Sequence, residues 1–235
     1  WSFSSGFFKL ERISIKGVTM VKEMVKILFP ATKNIDEVVG IIDKHRMKFG
    51  LNTDMRLAQF LAQVREEVGS EFKVIRENLN YKEETVLKMW PNRVSVDQAE
   101  KYARDEDTPK ANQEAIANLA YANRLGNGAA DSDGDGDMDA NDDGYKYRGA
   151  GCLQITGKGN FAEVQKRCVK YAGREMDPDT LEGFIVFGMA FWIQHDLYKL
   201  ADTGDADKVT AVINKYTDSY DRRKGHFKSI EHLVK

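Results

Sequence analysis

The segment Asp54-Met-Arg-Leu-Ala-Gln-Phe-Leu-Ala-Gln-Val-Arg-Glu-Glu-Val-Gly69 carries the clearest helical pattern in the chain. Its apolar residues recur at spacings of three and four, which places them along one face of a helix. Asp54 is predicted to be the N-cap, and Gly69 is predicted to end the helix. The apolar face consists of Leu57, Phe60, Leu61, Val64 and Val68.

The same periodicity recurs along the chain, so we expect a mostly α-helical protein. Only four prolines are present, and strand-like alternation is rare. The aromatic residues Phe184, Phe187, Phe191 and Trp192 make one of the later segments the expected core helix. The predicted helical ranges are 34–68 with a break at Gly50, part of 71–88, 96–122 as one or two helices, 161–171, 181–200 and 206–216.

The composition is that of a soluble globular protein. The 235 residues are 42% hydrophobic and 31% charged, and a chain of this length can bury the core of one substantial domain. Seven aspartates lie between Asp131 and Asp143, so the rest of the chain is mildly basic although the formal net charge is −2. A basic surface suits an anionic polymer such as a cell wall. Nucleic-acid binding is not expected, because no basic run or aromatic–basic motif is present.

Other features bound the type of protein. No run of 18 apolar residues occurs, so a membrane-spanning helix is not expected. The two cysteines, Cys152 and Cys168, are expected to be free thiols. Residues 1–19 lack the basic start, apolar middle and cleavage site of a secretory signal, and Met20 resembles a natural start. We therefore interpret 1–19 as a leader or upstream-translated segment outside the fold, and 20–235 as a single domain.

An acidic, glycine-rich insertion at 131–143 matches the template of a calcium-binding loop, D-x-D-x-D-G followed by a carboxylate at position twelve. A hard cation needs six or more oxygens on a tightly curved chain, and Gly136 at position six permits the turn. Position twelve is an aspartate, where an EF-hand has glutamate. The expected ligands, with residue 137 contributing its carbonyl, are Asp131, Asp133, Asp135, Asp137, Asp139 and Asp142.

The predicted Ca²⁺ is structural, because it would close a long loop beside the next motif. A solvated acidic linker is the alternative interpretation, but seven negative charges this close repel one another strongly without a cation. Flanking helices are not evident from the pattern, so the prediction covers the loop and not a full helix–loop–helix. No organic cofactor is expected.

Two glutamates are candidates for acid/base chemistry. Glu67 shares one stripe with Phe60 and Val64, so it borders the apolar face, where loss of water favours the protonated form that a general acid needs. Glu77 follows after a predicted turn, and two carboxylates on adjacent elements can flank a glycosidic bond. On spacing alone, a surface glutamate is the commoner interpretation of each.

The segment Tyr147-Arg-Gly-Ala-Gly-Cys-Leu-Gln-Ile-Thr-Gly-Lys-Gly-Asn-Phe161 is more informative. Its glycines allow the backbone to approach a bulky substrate. We predict an extended strand on which Gln154 and Thr156 face the same side and could hold a sugar and a water. The spacing excludes a phosphate-binding loop, and a simple β-turn region is the alternative.

These motifs resemble those of glycoside hydrolase family 19, a chitinase-like family that includes many phage endolysins. The resemblance covers roughly residues 35–227. Glu66-Glu67-Val-Gly69 is similar to the family's His-Glu-Ser/Thr-Gly, with Glu66 in place of the histidine. Glu77-Asn-Leu-Asn-Tyr81 is similar to the family's Glu-Asn-Leu-Asn-Tyr.

Two further motifs resemble segments that are adjacent in the family. They are Asn123-Arg-Leu-Gly-Asn-Gly128 and the glycine-rich segment that begins at Tyr147. In this chain the acidic loop is inserted between them. Several short motifs in the right order make the resemblance specific, which a single motif would not.

The resemblance implies a mostly α-helical, lysozyme-like or chitinase-like domain with two lobes around a central cleft and at most a small β element. It also implies an inverting mechanism. Glu67 protonates the glycosidic oxygen, and Glu77, helped by Thr156, activates a water on the opposite face of the sugar. The carboxyl groups of such a pair lie roughly 6.5–9.5 Å apart. The substrate-binding positions implied by the match are Tyr81, Tyr147, Arg148, Gln154, Asn160, Trp192 and Asn214.

Three functions remain open at this point. The first is a monomeric phage endolysin of the muramidase type, which accumulates in the host cytoplasm, reaches the cell wall after release and hydrolyses peptidoglycan glycan strands. The second is a chitinase on the same scaffold, because both substrates contain β-1,4-linked N-acetylglucosamine. The third is a non-catalytic, calcium-dependent wall-binding protein, which the replacement of the family's histidine by Glu66 keeps open. The compact chain without a chitin-binding cysteine module favours the first.

Overall fold

Helices dominate the computed structural model, which describes residues 18–234. Within these residues the only β pairings are two isolated bridges, Lys82 with Arg104 and Ala150 with Ile155. The prediction of a mostly α-helical fold with at most a small β element is therefore confirmed. The helices are α1 (18–28), α2 (Ile35–Arg46), α3 (Asp54–Val68), α4 (Glu83–Met89), α5 (Val96–Tyr102), α6 (Gln113–Tyr121), α7 (Asp143–Lys146), α8 (Lys158–Ala172), α9 (Leu181–Gln194), α10 (Leu197–Ala201), α11 (Ala206–Ile213) and α12 (Tyr220–Ile230).

The chain divides into two compact units. Unit 1 contains the described residues up to Ile75, the short segment 151–153 and the chain from Val164 onward. Unit 2 contains 76–150 and 154–163. Across the described residues, no helix combines the length and the apolar character that crossing a membrane requires.

The segment interpreted as a leader lies mostly outside the described residues. Its last two positions, Val18 and Thr19, belong to α1, so the fold begins earlier than the predicted boundary before Met20. Val21, Met24 and Val25 of this helix are completely buried. Because their spacing follows one helical face, α1 contributes to the core of unit 1.

Helix α3 runs through the core of unit 1. Its predicted apolar stripe is buried, and Phe60 packs edge-to-face against Trp192 of α9 with ring centroids 5.5 Å apart. Gly69 ends the helix as predicted, with φ of 73° and its N–H donated to the Arg65 carbonyl. The N-cap is Thr53 and not Asp54, because the Thr53 hydroxyl accepts the Arg56 N–H at 3.2 Å. Asp54 is the first helical residue, where its charge favours the positive end of the helix dipole.

Two features join α9 to the rest of unit 1. A Cβ added at Gly188 would overlap Sγ of the buried Cys152, so only glycine permits this close approach. At the N-terminal end of the helix, Glu182 accepts hydrogen bonds from three basic side chains. Its partners are Lys44 at 2.7 Å, His45 at 2.8 Å and Arg174 at 2.6 Å. The hydrogen bond from Lys44, followed by that from His45, lowers the pKa of Glu182 to about 2.

Unit 2 has its own apolar core beneath α4, α5 and α6. Leu79, Val86 and Ile116 are completely buried there, together with several alanines. Helix α7 lies directly on α6, because Gly144 has no side chain to collide with the backbone of Asn118. The core of unit 2 and the packing of α7 on α6 therefore fix the end of α6 and the segment after α7, which begins at Tyr147.

Candidate active site

Glu67 lies in the last turn of α3, in unit 1, and forms an ion pair with the C-terminal helix α12. Its Oε1 accepts a hydrogen bond from Nη2 of Arg223 at 2.6 Å. Arg223 is buried, and it also donates to Gln63 at 2.9 Å and to Ser219 at 2.8 Å. The Glu67 side chain is 18% exposed, so the predicted partial burial is present. The adjoining guanidinium of Arg223 is a partner that the prediction from the apolar stripe did not include.

Glu66, the neighbour of Glu67, is bound by the same helix. It accepts from Nε of Arg222 at 2.8 Å and contacts Nε2 of His226 at 3.2 Å. Burial lowers the pKa of His226, although the hydrogen bond to Glu66 opposes that shift. Helix α12 thus supplies a cation to each of two adjacent glutamates. The sequence analysis missed these partners because they lie about 156 residues away along the chain.

Glu77 lies in unit 2, where both oxygens of its carboxylate accept hydrogen bonds. Oε1 accepts from the Tyr121 hydroxyl at 2.6 Å, and Oε2 accepts from the Gly149 N–H at 3.1 Å. The backbone N–H of Glu77 donates in turn to the Gly149 carbonyl at 2.9 Å. This arrangement suits a general base, because two donors on different oxygens hold the carboxylate in one orientation.

Tyr121, the last residue of α6, is a site residue that the sequence analysis did not identify. Burial raises the pKa of its phenol strongly, and the negative charge of Glu77 adds to the effect. The hydroxyl therefore stays protonated and remains a donor to Glu77. Its only sequence signal was its place two residues before the motif that starts at Asn123.

The glycine-rich segment forms a turn and not the predicted extended strand. Ala150 and Ile155 exchange backbone hydrogen bonds of 3.0 and 2.7 Å, which close the turn. Gln154 has a left-handed backbone, with φ of 50°, so the alternation expected of Gln154 and Thr156 does not exist. The Thr156 hydroxyl instead makes a long, 3.5 Å contact with the Gln154 carbonyl.

Gly149 is the point at which this segment meets the candidate base. A Cβ placed there would lie 3.0 Å from Oε1 of Gln154 and 3.1 Å from Cβ of Glu77. Two predicted site residues, Gln154 and Glu77, therefore both lie next to Gly149, where a larger side chain would be crowded. A side-chain amide beside a carboxylate can donate to a substrate hydroxyl or acetamido group.

The remaining predicted sugar-binding residues of unit 2 are partly buried or exposed. Burial and the charge of Glu77 both raise the pKa of Tyr81, which places Tyr81 near the base. The Tyr147 ring packs against Phe161, with centroids 5.2 Å apart. The Asn160 amide donates to the Thr156 carbonyl at 2.8 Å and steadies the start of α8.

Arg148 is also held by its own segment. Its guanidinium lies 3.6 Å from the centroid of the Tyr145 ring and donates to the Tyr145 carbonyl at 2.8 Å. Such stacking orients the planar cation before any ligand arrives. The geometry is compatible with the predicted substrate contact, which stays a prediction.

Two predicted substrate residues lie in unit 1, and one of them is a core residue. Trp192 is completely buried, so its indole cannot face a polymeric substrate, and the prediction of a substrate contact is wrong. The helix around it is apolar on all sides, which is typical of a core helix. Asn214 is exposed at the C-terminal end of α11, where a substrate contact is sterically possible.

The acidic loop brings together three of its six predicted ligands. Single carboxylate oxygens of Asp131, Asp133 and Asp142 lie within 4.8 Å of one another. The N–H of Gly136 donates to Asp131 at 3.1 Å, and this bond closes the predicted tight turn. The group does not include the carboxylates of Asp135 and Asp139, which accept backbone N–H groups within the loop instead.

Asp142, at position twelve, is completely buried and ties the loop to unit 2. Its two oxygens accept from Ser132, from the Asp139 N–H at 3.0 Å and from the Asn118 amide at 3.2 Å. Burial acts to raise the pKa of Asp142, but these hydrogen bonds outweigh it and hold the pKa below its usual range. Asp142 then leads directly into α7 and the Tyr147 segment.

A known protein is similar in sequence to most of this chain. The chain is 37% identical over 182 residues to a glycosyl hydrolase family 19 domain-containing protein from Haemophilus influenzae. The aligned region covers 75% of this chain and 78% of that relative. No family model matches the chain. The similarity extends over most of both proteins and is not confined to a single motif.

Proposed function

The chain belongs to glycoside hydrolase family 19, and from this premise we propose that it hydrolyses β-1,4 glycosidic bonds of bacterial peptidoglycan. Glu77 carries the proposal, because the phenol of Tyr121 and the amide of Gly149 hold its carboxylate as a base. The activity proposed is of the lysozyme or muramidase type. Its biological role is that of an endolysin, which leaves the host cytoplasm, acts on the cell wall as a monomer and causes lysis.

The proposed reaction is an inverting displacement. Glu67 donates a proton to the glycosidic oxygen as the bond to the anomeric carbon breaks. Glu77 takes a proton from a water that attacks the opposite face of that carbon, and Thr156 helps to orient the water. The guanidinium of Arg223 then stabilises the carboxylate that Glu67 becomes after it has given up its proton.

The charge distribution favours peptidoglycan over uncharged chitin. The chain outside the acidic loop is mildly basic, and peptidoglycan carries carboxylates on its peptide groups. A long-range attraction of this kind raises the rate of encounter with an anionic polymer. Chitin has the same glycosidic linkage and is the second substrate to test.

We also propose that the acidic loop binds Ca²⁺. The three converging carboxylates of Asp131, Asp133 and Asp142 are hard oxygen ligands, the type that Ca²⁺ prefers. Backbone carbonyls and waters could supply further oxygens. A bound ion would neutralise part of the acidic cluster and stabilise the loop, and it takes no part in the proposed reaction.

Clearing of purified peptidoglycan, with chitin in parallel, tests the enzymatic proposal. We expect wild type to clear peptidoglycan, and Glu67→Gln and Glu77→Gln to be at least about 100-fold slower. Glu71→Gln is the matched control. Glu71 lies between the two glutamates in the sequence, is exposed and pairs with Lys73. Clearing of chitin alone would select the chitinase. A calcium-loaded wild type that clears neither substrate but binds the wall would favour the non-catalytic wall-binding protein.

Calorimetric titration with Ca²⁺ tests the loop. We expect one site in wild type and a large loss of affinity in Asp133→Asn. Asp107→Asn is the control, because Asp107 is an exposed carboxylate elsewhere in unit 2. Absence of binding by wild type would leave the solvated acidic linker as the correct interpretation.

A further inference from the structure

We infer that Tyr121 is a positioning residue for this reaction, which holds the Glu77 carboxylate oriented towards the water that it activates. The inference rests on the proposed function. Tyr121 acts through Glu77 and needs no contact with the sugar. Three observations within unit 2 carry it.

The first observation is the division of donors between the two oxygens of Glu77. The Tyr121 hydroxyl binds Oε1 at 2.6 Å and the Gly149 N–H binds Oε2 at 3.1 Å. Each carboxylate oxygen has about two acceptor positions, so the carboxylate can still accept a proton from water. Two donors on different oxygens also fix the plane of the group, which a single donor would leave free to rotate.

The second observation is that both the ring and the backbone carbonyl of Tyr121 have fixed partners. Its ring packs edge-to-face against Trp90, with centroids 6.3 Å apart, and its carbonyl accepts from the Asn127 amide at 3.1 Å. The side chain also packs against the apolar core of unit 2. A donor fixed in this way loses little further entropy when it orients a carboxylate.

The third observation is the electrostatic surroundings of the pair. Burial, the charge of Glu77 and nearby Tyr81 all raise the pKa of Tyr121, and Arg124 opposes them. The phenol thus stays a donor over the pH range in which a glycoside hydrolase works. Tyr81, on the same segment as Glu77, also has a raised pKa and adds no negative charge there.

The variant that tests the inference is Tyr121→Phe, which removes the hydroxyl and keeps the ring that packs on Trp90. The acidic limb of the kcat/KM profile reports the group that must be ionised in the free enzyme. Loss of a hydrogen bond to a charged group should move this limb to higher pH by about one unit. We expect kcat to fall about tenfold, with KM within about twofold of wild type.

Tyr102→Phe is the matched control, because Tyr102 packs against the same apolar core but lies on α5. It should leave the pH profile unchanged. Thermal unfolding of both variants checks that unit 2 is intact. A merely structural role for Tyr121 would lower stability without moving the acidic limb, and that result would overturn the inference.

A second measurement separates this inference from the proposed activity. The side-chain carboxyl carbon of Glu77 can be followed by NMR during a pH titration, with Glu77→Gln supplying the assignment. We expect it to titrate at higher pH in Tyr121→Phe than in wild type or Tyr102→Phe. Equal titration in all three proteins would refute the role of Tyr121, whereas a wild type without hydrolytic activity would refute the proposed function.

Discussion

Replacing Arg223 with methionine removes the cation that binds Glu67 and keeps most of the apolar stem. Arg223 is 3% exposed and donates to Glu67, Gln63 and Ser219. Removing one partner of a fully buried ion pair costs about 3–5 kcal/mol. Glu67 remains 18% exposed, so water can replace part of the lost interaction. We therefore expect the free energy of unfolding to fall by about 2–3 kcal/mol.

Urea unfolding at pH 7 of a double-mutant cycle measures how much of this cost belongs to the ion pair. The four proteins are wild type, Arg223→Met, Glu67→Gln and the double variant. Once Glu67 is neutral, loss of the guanidinium should cost about 1–2 kcal/mol less than it costs in wild type. The slope of the unfolding free energy against urea should stay constant, because the surface exposed on unfolding is nearly the same.

Additivity within about 0.5 kcal/mol would refute this reasoning. Arg223 would then act only on Gln63 and Ser219, with no energetic link to Glu67. Clearing of peptidoglycan provides the functional comparison, and we expect Arg223→Met to lose at least about tenfold in rate. Arg222→Met is the control, because Arg222 is an exposed neighbour that binds Glu66 and not Glu67.

The remaining predictions concern stability. The depressed pKa of Glu182, about 2, means that its ion pairs stabilise the fold above about pH 4.5 and lose this effect as the pH falls towards 2. Glu182→Gln should therefore lower the free energy of unfolding by about 1–2 kcal/mol at pH 7. The difference in unfolding free energy between wild type and this variant should narrow as acid denaturation experiments lower the pH to 3. Gly188→Ala should lower the free energy of unfolding in urea by about 2–3 kcal/mol, because the added methyl group overlaps Cys152. In a Cys152→Ala background, which lacks the sulfur, the same substitution should lower it by no more than about 1 kcal/mol. An equal loss in both backgrounds would contradict the steric explanation. Ca²⁺ at about 100 times its Kd should stabilise wild type by about 2–3 kcal/mol and leave Asp133→Asn unchanged, which calorimetric unfolding with and without chelator would measure.

Local patterns predicted the helices that depend on a single apolar face. The α3 stripe and its stop at Gly69 follow from spacing and from the conformational freedom of glycine. Helix α1 was missed although Val21, Met24, Val25 and Leu28 are buried at helical spacing. Residues 18 and 19 of this helix lie inside the segment interpreted as a leader, which the prediction placed outside the fold.

The partners of the two glutamates could not be predicted in the same way. Glu67 meets Arg223, and Glu77 meets Gly149, across 156 and 72 positions of the chain. Contacts of this kind depend on how helices pack, and no periodicity encodes them. Trp192 shows the opposite error, because resemblance suggested a substrate contact where the apolar helix around it already indicated the core.

The acidic loop is inserted between the two donors that hold Glu77, and this placement constrains how it can fold. Tyr121 precedes the insertion and Gly149 follows it, so the loop must return the chain to α6 before Gly149 can bind the carboxylate. The buried side chain of Asn118, one turn before Tyr121, makes that connection. It donates to the Asp139 carbonyl and to Asp142, and accepts from the Tyr145 N–H at 2.7 Å. An insertion anchored in this way can vary in length before Asp139 without separating the donors, because Asn118 holds Asp139, Asp142 and Tyr145 against α6.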